Sequence, residues 1–145
     1  MAEKGFTLIE LIAVLVLAGI IAAFAGAGLV TVVDGYLFTK LNAATAQKGQ
    51  VALARLVKEF TVISAAPTVG PPFQYTAVKN GAAGAHQVFL NGSALYLDGD
   101  ILADNVSALT LSYTPASQVI DITLTLAGAE NIATVLTSRV VPRNM

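Results

Sequence analysis

With eight basic and nine acidic side chains scattered over 145 residues, the chain has a formal net charge of −1 and no basic patch of the kind that binds nucleic acid. It contains no cysteine, which excludes disulfides, thiol catalysis and Cys-ligated metal. Its single histidine cannot build a multi-histidine metal site within one chain.

The first five residues are a short polar leader whose one basic side chain is Lys4. A lysine beside an apolar run favours a cytoplasmic N-terminus, which would place the rest of the chain in the periplasm. From Phe6 to Val33 there is no Lys, Arg, Asp, Asn, Gln, His or Pro, and the only charge is Glu10. At a helical rise of ~1.5 Å, about 28 residues reach ~42 Å, more than the ~30 Å of a hydrocarbon layer. The twelve Leu, Ile, Val or Phe residues between Phe6 and Ala25 contribute roughly −0.3 to −0.6 kcal/mol each. Together they outweigh one acid costing at most about +3 kcal/mol. Residues 6–33 are therefore expected to form a helix in the membrane.

Glu10 is the residue that this apolar run does not explain. An ionisable group inside a membrane span calls for a partner. A cut between Gly5 and Phe6 would leave an ammonium on Phe6, about one helical turn from Glu10. It could neutralise Glu10 of the same chain or of a neighbour during packing. The alternative is a carboxylate near the membrane edge that snorkels to water or stays protonated.

Lys4-Gly5 followed by Phe6-Thr7-Leu8-Ile9-Glu10-Leu11 and a long apolar helix resembles the signal of bacterial type IV pilins and type II secretion pseudopilins. The resemblance covers about Met1 to Ala25. It implies that a prepilin peptidase cuts after Gly5 and N-methylates Phe6, and that Glu10 pairs with the amino terminus of an adjacent subunit during filament assembly. A rival reading is an ordinary secretory signal peptide cut after Ala23-Phe24-Ala25. Its apolar region would exceed the usual 7–15 residues or so, and Glu10 would have no purpose in it.

Within the span, Ala18, Ala22 and Gly26 recur every four residues, as do Gly19, Ala23 and Ala27. Small residues at this spacing let helix backbones approach closely in lipid. Many of the family's major pilins carry a disulfide in the C-terminal region, and members often have a proline near mid-helix. This chain has neither, which points to a minor pilin or pseudopilin.

Residues 34–65 are expected to continue the helix in amphipathic form, with Tyr36 and Phe38 at the water interface. Leu37, Leu41 and Ala44 make one apolar row, extended by Val51, Leu53, Leu56, Val57, Phe60 and Ile63. Lys40, Lys48, Arg55, Lys58 and Glu59 are assigned to solvent. Pro67 and Pro71-Pro72 end the helix and open a loop, and Asn80-Gly81-Ala82-Ala83-Gly84 reads as a mobile stretch or a tip. From Ala85 the hydrophobic period becomes two. Gln87–Leu90 and Ala94–Leu97 form a hairpin about Asn91-Gly92, and Asp98-Gly99-Asp100 turns again. Val106–Thr114, Val119–Leu126 and Ile132–Val141 follow as strands, with Ile120, Ile122, Leu124 and Leu126 on one face.

The expected fold is α+β and pilin-like: a long N-terminal helix packed on a C-terminal antiparallel sheet of four or five strands, residues 66–145 forming the periplasmic domain. The order Leu102-Ala103-Asp104-Asn105-Val106, strands, Ser138-Arg139 and Arg143-Asn144 is similar to J-type pseudopilins and W-type minor pilins, which are tip-associated.

No enzyme constellation emerges. Ser93, Ser107, Ser117 and Asp121 lie in no nucleophile-elbow sequence that would make a base of His86. Asp98, Asp100 and Asp104 with Asn105 offer oxygen ligands for Ca²⁺, but turn chemistry explains Asp-Gly-Asp equally, and no cofactor or metal is assigned. Asn91-Gly92-Ser93 and Asn105-Val106-Ser107 match the glycosylation acceptor pattern; chance is the better account of both.

The expectation is a structural subunit of a type IV pilus or type II secretion pseudopilus. It would be inserted in the inner membrane and embedded in lipid before assembly. Its expected partners are prepilin peptidase, an inner-membrane assembly platform and other pilin subunits. The alternative is a membrane-anchored periplasmic binding module or adhesin that never polymerises.

Overall fold

The structure is a computed structural model that describes residues 5–79 and 81–145; most of the expected leader (residues 1–4) and Asn80 lie outside the described residues. Among the described residues one α-helix, α1, runs from Leu8 to Thr61. It belongs to two compact units, one ending at Lys40 and the other spanning Leu41–Met145.

In the first unit every side chain from Gly5 to Leu37 is exposed. Leu, Ile, Val and Ala fill this stretch without a proline, so the backbone forms a continuous hydrogen-bonded ladder that presents apolar surface on all sides. α1 is the one described helix long and apolar enough to cross a membrane.

In the second unit α1 turns Thr45, Gly49, Ala52, Leu56, Glu59 and Phe60 inward. Steps of three and four residues keep these positions on one helical face. That face contains the end of the apolar row expected from the sequence but not its start: Leu56 and Phe60, with Ile63 just beyond the helix, are all 0% exposed. Leu41 is 57% exposed and Val51 65%, because the helix seats the small Thr45, Gly49 and Ala52 against the sheet over this part of its length and turns large residues, Leu56 and Phe60, inward only near its end. Glu59, assigned to solvent from the sequence, is buried. The helix also ends at Thr61, short of Ala65, where the Arg143 backbone N–H donates to the Thr61 carbonyl at 2.9 Å.

Among the described residues seven antiparallel strands form two sheets, where the sequence suggested four or five strands in one. The first sheet holds β1 (Phe73–Lys79), β2 (Ala82–Asn91), β3 (Ala94–Leu97) and β4 (Asp100–Ala103) in that order. The second holds β5 (Val106–Thr114), β6 (Val119–Ala127) and β7 (Ala133–Val140). The extra strands come from the stretch expected to be a loop and from the Asp98-Gly99 turn. β1 alternates Phe73, Tyr75 and Ala77 inward with Gln74 outward. Ala82–Gly84, expected at a mobile tip, pair with Ala77–Lys79.

Turn chemistry places the strand breaks. Asp98 and Gly99 both take positive φ (56° and 96°) between paired Leu97 and Asp100, the geometry a two-residue hairpin needs. In the preceding turn Asn91 pairs with Ala94. Only Gly92 has positive φ (61°) there, so the turn is Gly92-Ser93.

The core is the inner face of both sheets against α1. Ile120, Leu124 and Leu126 are 0% exposed and Ile122 is 1%, each burial contributing about 1.5–3 kcal/mol. Asn42 Oδ1 accepts the Ala129 N–H at 2.9 Å and ties the β6–β7 turn to the helix. Gly49 permits the closest helix–sheet approach: a Cβ there would meet Leu126 Cδ1 at 2.5 Å and Leu136 Cδ1 at 2.7 Å. Gly49→Leu is expected to destabilise this unit by about 1–3 kcal/mol through overpacking, read as a lower urea midpoint for the full chain in detergent micelles.

Candidate functional site

The N-terminal end of α1 is where the sequence concentrates its signal. The Thr7 carbonyl accepts the Leu11 N–H at 3.2 Å, which closes the first helical turn and makes Thr7 the capping residue. Thr7 Oγ1 accepts the Glu10 N–H at 3.3 Å, and the Thr7 hydroxyl lies 3.5 Å from Glu10 Oε2. Thr7-Leu8-Ile9-Glu10 is thus a capping-box sequence in which the threonine half of the box is formed. Thr7 belongs to the motif that follows the leader, and its Thr-x-x-Glu spacing is the sequence signal for the cap.

Gly5 and Phe6 precede the helix, and Phe6 is 82% exposed. Both residues are exposed and lie outside the helix. Ala18, Ala22 and Gly26 lie on the exposed helix, and a Cβ added at Gly26 would meet nothing within 4 Å. Their surface is open to another helix.

A second polar cluster links α1 to the first sheet. Glu59 Oε1 lies 2.9 Å from Arg55 Nη2 and Glu59 Oε2 lies 2.6 Å from Lys79 Nζ. Two cations offset the cost of burying this carboxylate, so removing either would leave it undercompensated. Tyr75 is buried beside it, and desolvation followed by the negative charge of Glu59 pushes the phenol pKa upward. The Tyr75 and His86 rings stack at 5.4 Å. His86 Nδ1 lies 2.6 Å from Asp98 Oδ2.

None of the serines weighed as partners of His86 meets it among the described residues. Ser107 donates to the Thr125 carbonyl at 3.2 Å, and Asp121 pairs with Arg139 Nε at 2.7 Å. Two of the three aspartates of the candidate calcium loop are separately engaged. Asp98 holds His86 and the Gln87 N–H, and Asp104 meets Lys48 Nζ at 2.8 Å. No group of three candidate metal ligands forms among the described residues.

Asp98 feels an upward push from desolvation. The Gln87 N–H, the His86 contact and the Lys79 charge outweigh it, so its pKa falls below the ordinary carboxylate value. A depressed folded-state pKa gives stability that is present above the unfolded value, near pH 4, and is lost as pH falls through the folded value. Urea midpoints of the wild type should therefore drop as the solution is acidified below about pH 4. Asp98→Asn should show a shallower drop; an identical acid limb would remove Asp98 from the cause.

A family model described as the prokaryotic N-terminal methylation motif matches residues 1–26. No curated protein and no solved structure matches the chain. The match covers the leader, Thr7, Glu10 and the row from Ala18 to Gly26, so it coincides with the capped and unburied end of α1. Residues 1–26 are a prepilin-type signal, of the kind carried by type IV pilin and pseudopilin precursors.

Proposed function

We propose that the protein is a structural filament subunit, a minor pilin or pseudopilin of a type IV pilus or type II secretion pseudopilus. The observation that carries this reading is the methylation motif at the head of a helix whose most apolar stretch is wholly unburied. In this reading prepilin peptidase cleaves between Gly5 and Phe6 and methylates Phe6. The subunit waits in the inner membrane, with residues 41–145 in the periplasm, until an assembly platform extracts it. Ala18, Ala22 and Gly26 allow close helix packing in the filament. Glu10 sets the register by pairing with the Phe6 ammonium of a neighbour.

Assembly is favoured over a solitary anchored module by the apolar residues that α1 leaves outside its own core. Leu41 and Val51 project from a helix that has already seated Ala52, Leu56 and Phe60. Val51→Glu should fold and insert normally, because its site is exposed, yet reduce the assembled fraction at least about tenfold, the effect of ~1.4 kcal/mol at an interface. The check is electron microscopy of sheared surface material, probed with antibody to residues 85–145. Absence of labelled filaments in the wild type would favour the anchored module.

A further inference from the structure

We infer that the open edge of β5 is a docking site for one extended, uncharged peptide segment of another protein, with apolar side chains at every second position. The inference goes beyond the filament reading and does not rest on it. β5 pairs only with β6 in the second sheet, so its other side is an edge. The Val106 N–H donates to the Ser93 carbonyl at 2.9 Å; from Ala108 to Tyr113 the described backbone bonds run to β6 alone. An unpaired edge is a template for another strand, and proteins normally blunt it. The other edges among the described strands are blunted. Ile63 and Thr68 bridge to β1, β4 has only four residues, and β7 carries Arg139. β5 has nine residues without a charge or a proline, and its one irregularity lies at its start, between Val106 and Ala108.

The packing beside this edge is also incomplete. Leu109 and Leu111 stand opposite Leu124 and Ile122 of β6. The β6 residues are 0% and 1% exposed, whereas Leu109 and Leu111 are only half-buried. Beyond them a cleft of about 290 Å³ opens toward β2, lined by Leu109, Leu111, Phe73, Val88 and Leu90 and by no charged residue.

The two features together specify the occupant. Pairing with a strand edge needs an extended backbone, and side chains alternate across a strand, so every second one enters the cleft. A charge there would lose its hydration without gaining a partner, so the entering side chains are apolar. A second copy of the chain is the poorer fit. Each of its described strands already lies in a folded sheet, and β2, which approaches β5, bounds the far side of the cleft. A single unpaired segment from a tail or loop fits between them.

The test uses the full chain in detergent micelles and a nine-residue peptide that alternates Thr and Val between terminal lysines. At ten times its Kd, the peptide should slow hydrogen exchange of alternate β5 amides about tenfold and leave β7 unchanged. Replacing the central Val of the peptide by Glu should raise Kd at least about tenfold. Val69 also lines the cleft and is 53% exposed. Val69→Trp should therefore keep the circular dichroism spectrum, fill the cleft and raise Kd at least about tenfold; Val135→Trp, on β7, should bind like wild type. No slowing at about 1 mM peptide, equal slowing in β7, equal binding of the Glu peptide, or a folded Val69→Trp that binds like wild type would overturn the inference. So would β5 protection that appears without peptide and rises with protein concentration, the mark of a second copy.

Discussion

Glu10→Ala is expected to be cleaved, methylated and inserted like the wild type, and then to be nearly absent from filaments. The substitution removes the one charge between Phe6 and Val33, so insertion into lipid becomes easier. What is lost is discrimination between registers. A carboxylate buried without a partner costs about 3–5 kcal/mol relative to a paired one, so misregistered helices are disfavoured by a factor of roughly 10² to nearly 10⁴. Alanine makes all registers alike, and small residues every four positions from Ala18 then allow several similar packings. The measurement is the ratio of subunit in sheared filaments to subunit in membranes, with a drop to about 1% or less expected. Glu10→Gln should fail almost as badly, because an amide of the same shape cannot neutralise an ammonium.

Phe60→Ala is expected to have the largest effect on folding. Phe60 is 0% exposed. Its ring centroid lies 5.3 Å from both Phe73 and Tyr75, tilted against the first and edge-on to the second. Large-to-small truncation of a buried Phe costs about 3–5 kcal/mol, a large share of the 5–15 kcal/mol or so that holds a domain together. The substitution unseats the end of α1 from β1, next to the Glu59 cluster. Urea unfolding of the full chain in micelles, followed by near-ultraviolet circular dichroism of the tyrosines, reads the change. Membrane insertion, which depends on residues 6–33, should be unaffected.

The membrane helix was legible in the sequence because its signal is local and redundant: many apolar residues in a row each repeat the same information. β6 was legible for a similar reason, since its strict alternation of Ile120, Ile122, Leu124 and Leu126 has one compatible geometry. The buried face of α1 was legible only at its end, where Leu56 and Phe60 are buried as expected. Leu41 and Val51 look like core residues, whereas the helix seats Thr45, Gly49 and Ala52 against the sheet. That choice is set by how closely β6 and β7 approach, a tertiary distance absent from local pattern. Glu59 was misplaced because its inward position depends on Lys79, twenty residues away on β1. β1 itself carried a period-two signal in Phe73, Tyr75 and Ala77, but Pro71-Pro72 and the Gly-Ala stretch around it read as loop.

At the candidate site, Gly5, Phe6 and Glu10 follow from the motif alone. Thr7 required the geometry of the first turn, although the Thr-x-x-Glu spacing announced it. The division into two sheets turned on Asn105, whose positive φ of 57° lets the chain leave β4 and start β5 in a different sheet. Asparagine tolerates that conformation better than most residues, but tolerance does not reveal when it is used.

The most direct measurement is the mass and N-terminal sequence of the mature polypeptide isolated from cells. A chain beginning at N-methylated Phe6, with Met1–Gly5 gone, is the result expected of a processed subunit. A chain still beginning at Met1, or one beginning at Gly26, would leave Glu10 without its ammonium and contradict the filament reading.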